Sequence, residues 1–280
     1  MPLVTTKDML EDAYKNNYAI GAFGAHNLEV IKAVIAGAEK VGAPVILQTT
    51  SSTYKYVEMP YLIALAKTAA EQAKVPVALH LDHGESYHTV MECLRAGYTS
   101  VMIDGSSLPY EENILLVKKV VEAASAVNVP VEAELGTIGG VEDSVSVEEE
   151  NALFTDPKQA EHFVKVTGIH SFAPAFGTAH GKYQQKPKLL FELLQEIHSS
   201  TNIPLVMHGA SGVPEKDVRE SLKYGIAKVN FSTELKDLFA EELRAYFNDH
   251  PTENDPRKYF LPARESLIKL VEQKIVMLQK

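Results

Sequence analysis

Cysteine is nearly absent: Cys93 is the only one in 280 residues. No intrachain disulfide can form, which suits a reducing, cytoplasmic compartment. Cys93 lies in an apolar helical stretch with Val90, Met91 and Leu94, where a packed core thiol is expected rather than a nucleophile. Basic charge is also scarce, with 27 Lys and Arg against 37 Asp and Glu and a formal net charge of -10. Nucleic-acid binding wants a basic footprint, so no nucleic-acid partner is expected. A small phosphorylated ligand stays open, because one phosphate is held by a local nest of N–H groups and not by global charge. The opening MPLVTTKDMLEDAYK has no basic n-region or apolar h-region, so a signal peptide is not expected. No apolar run approaches the ~20 residues that span a bilayer, so no membrane partner is expected either.

What the chain does have is rhythm. With 45% hydrophobic and 23% charged residues, it matches an ordinary globular composition. Short apolar runs alternate with longer amphipathic ones. The runs are YAIGAF (18–23), PVILQT (44–49), VPVALHL (75–81), TSVMID (99–104), VPVEAEL (129–135), SFAPAF (171–176), IPLVMH (203–208) and AKVNF (227–231). Helix-like stretches separate them at 28–41, 61–73, 87–96, 111–126, 157–166, 189–198 and 214–224. Apolar strands separated by helices read as parallel strands covered on both faces. Eight such units predict an α/β fold of the (β/α)8 TIM-barrel type. An open doubly wound sheet is the competing arrangement, but no GxGxxG follows the first strand. No linker rich in Gly, Ser or Pro interrupts the pattern, so a single domain over 1–280 is expected.

Two segments break the rhythm. GTIGGVEDSVSVEEENALFT (136–155) is long, acidic and punctuated by glycine, as a mobile loop over an active site would be. After the eighth run come extra C-terminal helices at 235–247 and from 263 to about 278, joined by the polar turn HPTENDPRKY. The last helix carries apolar residues at 267, 270, 271, 275 and 278, one stripe to pack on the barrel or on another subunit.

In a barrel, chemistry belongs at the C-terminal ends of the strands. The third run ends in Asp82-His83, the fourth in Asp104, the fifth in Glu134 and the seventh in His208, and Gly177-Thr178-Ala179-His180-Gly181 follows the sixth. Three histidines converging on one mouth point to catalytic zinc, which takes three protein ligands and keeps an open position. His80, two residues before Asp82, is a barrel-interior or supporting residue. HGASG (208–212) and NFSTEL (230–235) follow the last two strands, where barrels often seat a phosphate. There Ser232 or Thr233 opens a helix.

HLDHG, GTAHGKY, MHGASG and KVNFSTEL together resemble the class II, metal-dependent fructose-bisphosphate aldolases, and within them the tagatose-bisphosphate aldolases most. The resemblance runs from TTKDMLEDA to NDPRKY. It implies a zinc-dependent lyase of carbohydrate metabolism and glycolysis that cleaves fructose or tagatose 1,6-bisphosphate to dihydroxyacetone phosphate and glyceraldehyde 3-phosphate. His83, His180 and His208 would bind Zn2+, with Asp104 and Glu134 near an alternative metal position. Asp82 would handle the C4 hydroxyl proton, and Glu142 would move protons at C3. Thr50, Gly181, Gly209, Ser211, Asn230, Ser232 and Thr233 would hold the phosphate and the dihydroxyacetone part. A monovalent cation, Na+ or K+, would support that phosphate through carbonyls near Gly181 and Gly209. Arg257 would reach a neighbouring subunit's distal phosphate in a homodimer or homotetramer, with an accessory subunit allowed.

Two departures from the family pattern stand out. Gly24 replaces the Asn that usually ends the first strand and touches substrate, and SFAPAFGTAHG replaces a more aliphatic run. Lys228 is the candidate for a rival Schiff-base mechanism. The same zinc chemistry on 2-deoxy-5-keto-gluconate 6-phosphate and a non-catalytic barrel serving as a partner subunit are the alternative readings.

Overall fold

Alternation of side chains along each strand explains how this interior is built. The protein is described by a computed structural model covering residues 2–142, 145–147, 153–183 and 186–279. The barrel strands are β1 (Ile20–Gly24), β2 (Val45–Thr49), β3 (Val77–Gly84), β4 (Ser100–Ile103) and β5 (Val131–Leu135). Three more strands, β6 (Gly139–Glu142), β7 (Val145–Val147) and β9 (Ala179–His180), stand outside it. The barrel is completed by β8 (Ser171–Pro174), β10 (Leu205–Met207) and β11 (Ile226–Phe231). The closed order is β1-β11-β10-β8-β5-β4-β3-β2, with neighbours parallel. The expected eight-stranded barrel is the observed one.

Odd-numbered residues such as Phe23, Leu47, Leu79, Val101 and Val131 join the large core shared with the helices. On β1 to β5 the even-numbered ones point inward, and on β8 the parity is reversed, with Ser171 reaching Glu132 and Phe172 in the outer core. At the N-terminal end of the barrel, Ile20, Ala22, Ile46 and Ala78 form a small apolar plug against Leu10 and Ala13 of helix α1 (Thr6–Asn16). Beyond the plug the inward positions turn polar. His80 and Asp82, Glu132 and Glu134, Lys228 and Asn230 stack in i, i+2 pairs, giving two polar levels.

The outer helices α2 (Leu28–Val41), α4 (Met59–Gln72), α5 (Tyr87–Ala96), α6 (Tyr110–Ser125), α7 (Pro157–Thr167), α8 (Phe191–Thr201) and α9 (Glu215–Leu222) follow the expected segments closely, with a short α3 (Ser51–Val57) after β2. The C-terminal pair is α10 (Thr233–Asp249) and α11 (Pro256–Leu278). α11 begins seven residues earlier than the sequence suggests. Asp255 accepts the Arg257 N–H as its cap and Pro256 fills the first turn, so Pro262 sits inside a helix already under way. The α11 stripe packs on α2, where Val271 lies against Gly37 with no room for a Cβ. The stripe therefore belongs to the barrel's own shell. No described helix is long and apolar enough to cross a membrane.

The acidic segment 136–155 is more ordered than expected at its start. β6 pairs antiparallel with β7 and parallel with β9, so its backbone lies beside that of His180.

Candidate metal and substrate site

Adjacent residues of a regular strand face opposite sides, so Asp82 and His83 should not both reach the barrel mouth. They do because the β3–β4 register shifts between Leu81 and Gly84, and His83 adopts a left-handed φ of 45°. A bulge of this kind re-aims a side chain, at a conformational cost that a site must justify. Two glycines bring the other imidazoles in. Gly140 (φ 100°) lets β6 lie on the His180 backbone, and Gly209 (φ 64°) lets the His208 loop lie on the Ala179 backbone. Tyr183 ties the same two loops: its hydroxyl accepts from the Ala179 N–H (2.7 Å) and donates to the Gly209 carbonyl (2.8 Å).

The result is a cluster in which His83, His180 and His208 bring one ring nitrogen each within 4.8 Å of the others. Ring centroids stand 4.7 to 5.8 Å apart. Nitrogens around a tetrahedral zinc stand roughly 3.3 Å apart, a small contraction away. Each ring's outward nitrogen is fixed by a carboxylate where a partner is seen. His83 Nδ1 lies 2.8 Å from Asp104 Oδ2, and His208 Nε2 lies 3.0 Å from Glu132 Oε1. His208 Nδ1 sits 3.3 Å from Glu134 Oε2, near enough for an ion pair but not aligned as a hydrogen bond. Both of those atoms are buried and unsatisfied, which is costly unless something else binds there. His83, Asp104 and Glu134 form a second cluster of the same span, matching the alternative metal position.

The charges follow the same logic. Burial works against a charged His208, but the hydrogen bond to Glu132 and the facing Glu134 carboxylate outweigh it and raise its pKa to about 9. The carboxylates on either side of the ring thus favour positive charge at this place, whether carried by a proton or by a metal cation. Burial and the nearby Asp104 push Glu134 upward, while Asp104, despite burial, is held low by His83 and the Ser106 N–H. This donor set fits zinc or a similar divalent ion.

Asp82 is buried beside the cluster, with Oδ1 accepting from the Asn230 amide at 3.1 Å. Ser232 and Thr233 open α10, and Ser211 Oγ accepts from the Glu234 N–H (3.4 Å). Thr50 stands at the N-cap position of α3 without a side-chain cap bond, its hydroxyl 3.0 Å from that of Ser52. Gly181 follows β9 directly. Arg257 is not at this mouth: it is exposed at the start of α11 and paired with Asp255 at 2.9 Å. The Glu142 backbone ends β6, while its side chain lies outside the described residues.

Sequence reasoning missed Glu132 and left the direction of Lys228 open. Lys228 points inward, fully buried, with Nζ 2.9 Å from both Glu132 oxygens and 3.1 Å from His80 Nε2. An ammonium engaged in a buried ion pair is a poor nucleophile, which disfavours the imine route. Spacing could have signalled Glu132, since it shares a face with Glu134 two residues on.

The family model for "Fructose-bisphosphate aldolase class-II" matches residues 4–280. Among solved structures, the YdjI aldolase from Escherichia coli K12 is 31% identical with a TM-score of 0.87, covering 99% of this chain and 97% of that one. The fructose-bisphosphate aldolase Fba from Campylobacter jejuni is 26% identical with a TM-score of 0.82, covering 99% and 95%.

Proposed function

The chain belongs to the class-II fructose-bisphosphate aldolase family, and from that premise we propose that it is a zinc-dependent enzyme cleaving a ketose 1,6-bisphosphate, fructose or tagatose, to dihydroxyacetone phosphate and glyceraldehyde 3-phosphate. The family makes it a metal-dependent aldolase acting on a phosphosugar; the ion and the sugar are our reading. One observation carries that reading: three imidazoles converge where a buried His208 Nδ1 and a buried Glu134 oxygen have no hydrogen-bond partner.

His83, His180 and His208 would hold the ion. When bound, Zn2+ supplies Lewis-acid stabilisation of the negative charge that cleavage leaves on the ketone half. Asp82, oriented by Asn230, takes the proton from the C4 hydroxyl as the C3–C4 bond breaks and its electron pair passes to C3. The C4 oxygen becomes the aldehyde of the departing half. Glu142, carried on β6 beside His180, returns a proton to C3. Ser211, Ser232 and Thr233 offer hydroxyls to the phosphate at the N-terminus of α10, whose partial positive charge favours an anion. Gly181, Gly209 and Thr50 complete that wall, with Na+ or K+ as a supporting cation. Arg257, exposed on its own chain, is suited to a neighbour's substrate in a homodimer or homotetramer. We place the enzyme in the cytoplasm as one domain.

The test is steady-state cleavage of both bisphosphates by zinc-loaded protein, with dihydroxyacetone phosphate detected. Chelation should abolish cleavage and added Zn2+ should restore it. Full activity in excess chelator, or a borohydride-trapped adduct at Lys228, would sink the mechanism. If neither bisphosphate reacts, 2-deoxy-5-keto-gluconate 6-phosphate is the next substrate to try.

A further inference from the structure

Gly24 ends β1 at the barrel mouth, in register with Gln48 of β2 and one step beyond the Phe23–Phe231 pair. Its backbone is not left-handed, so conformation does not demand glycine there. Space does. A Cβ on residue 24 would fall 2.7 Å from His26 Nε2 and 2.8 Å from Ser232 Oγ. A side chain at 24 and the present position of His26 exclude each other.

His26 uses that space to lie between two hydroxyls. Its Nε2 is 3.3 Å from Ser232 Oγ and its Nδ1 is 3.4 Å from Thr53 Oγ1, which in turn is 3.5 Å from Thr50 Oγ1. Ser232 stands at the N-cap of α10 yet makes no side-chain cap bond to its own helix. Its hydroxyl is instead turned toward the imidazole that follows the neighbouring strand β1. The imidazole is only half-buried. A half-buried ring, three hydroxyls and the N-terminus of α10, which Ser232 does not cap, form a donor-rich wall beside Asp82 and Asn230, the chemistry that recognises a phosphate monoester.

We infer that His26 contacts the substrate, binding the phosphate end of dihydroxyacetone phosphate together with Ser232 in the space that Gly24 leaves open. The inference rests on the function proposed above. Gly24 then serves as the vacancy that admits a polar ring from two residues along the chain, so the mouth of β1 keeps a polar contact.

The experiment titrates dihydroxyacetone phosphate into zinc-loaded, full-length protein by calorimetry, comparing wild type with His26→Ala, Gly24→Ala and the double variant. Zinc content and Tm are recorded for each. The atoms that a Cβ at 24 would meet are tips of movable side chains, so Gly24→Ala should fold and displace the ring. Each single variant should weaken binding about tenfold, the scale of one hydrogen bond to a charged group, with zinc content unchanged. The double variant should be no weaker than the worse single, because both remove one contact. Unchanged affinity in His26→Ala, simple addition of the two losses, or loss of zinc in His26→Ala would each overturn the inference. Failure of wild type to bind dihydroxyacetone phosphate would instead bring down the functional reading itself.

Discussion

The two polar levels of the barrel interior use nearly the same residue types and treat them in opposite ways. In the lower level, His80, Glu132 and Lys228 are closed on one another. Lys228 bonds both Glu132 oxygens and His80 Nε2, His80 Nδ1 is 2.7 Å from Ser100 Oγ, and Ser100 receives the Thr6 hydroxyl at 2.9 Å. In the upper level, His208 Nδ1, Glu134 Oε2 and Asn230 Oδ1 are buried without hydrogen-bond partners. A closed buried network rigidifies and specifies a core, and an open one is tolerated where a ligand completes it. Burial alone therefore does not mark the reactive level; the unsatisfied capacity gathered on His208, Glu134 and Asn230 does, whereas Gln48 Oε1, in register with His80, is a single such atom.

The sharpest way to break this comparison is to open the lower level. Lys228→Met keeps bulk but strands the Glu132 carboxylate in the interior. Removing one partner of a buried ion pair typically costs about 3–5 kcal/mol. Urea unfolding of the metal-free variant should register a loss of that order. His180→Ala, in the half-buried part of the upper level, should cost little stability yet abolish zinc binding. Equal stability losses in the two variants would show that both levels are structural.

Glu132 joins the levels, accepting from Lys228 below and facing His208 Nε2 above. Glu132→Gln preserves shape while removing the charge that orients the His208 ring. Outer partners of metal ligands typically contribute 10–100-fold to affinity. Competition with a chromogenic chelator should show zinc affinity reduced on that scale. An unchanged affinity would mean that the lower level holds the fold without supporting the ion.

Much of this was legible in the sequence, for reasons that also explain what was not. The eight apolar runs carried the barrel because parallel strands covered on both faces must be apolar. His83, Asp104, Glu134 and His208 announced themselves by standing at strand ends. Glu132 and Lys228 did not, because an i, i+2 spacing assigns a face but not the depth at which strands 96 residues apart will meet. The turn of His83 into the mouth depends on a register shift between β3 and β4, a tertiary event with no local signature. The β6–β7 hairpin was hidden for a similar reason, since β6 is also anchored on β9, whose sequence lies well downstream. The phosphate segments HGASG and NFSTEL were legible from their place after the last two strands, while the roles of Arg257, Glu142 and the individual phosphate residues entered through resemblance and are proposals for the experiments above.

The smallest effect is a slope, and its sign differs between the levels. Burial, with the Lys228 ammonium, depresses the pKa of His80 well below 6.5. As pH falls through 6.5 the unfolded chain takes up a proton there that the folded protein refuses. Stability supplied by His80 is therefore present at neutral pH and lost on acidification. His208 is the opposite case: its pKa, against burial, is raised to about 9 by Glu132 and Glu134. Its contribution is complete below 6.5 and lost as pH rises toward 9. One fully differential proton changes stability by about 1.4 kcal/mol per pH unit. Urea unfolding of the metal-free protein from pH 5 to 9 should thus lose about 1 kcal/mol per unit on each side from these two residues. His80→Gln should flatten only the acid limb and His208→Gln only the alkaline one, relative to wild type. If both variants altered the same limb, the two histidines would share one electrostatic environment, and the division of the barrel into a closed and an open level would fail.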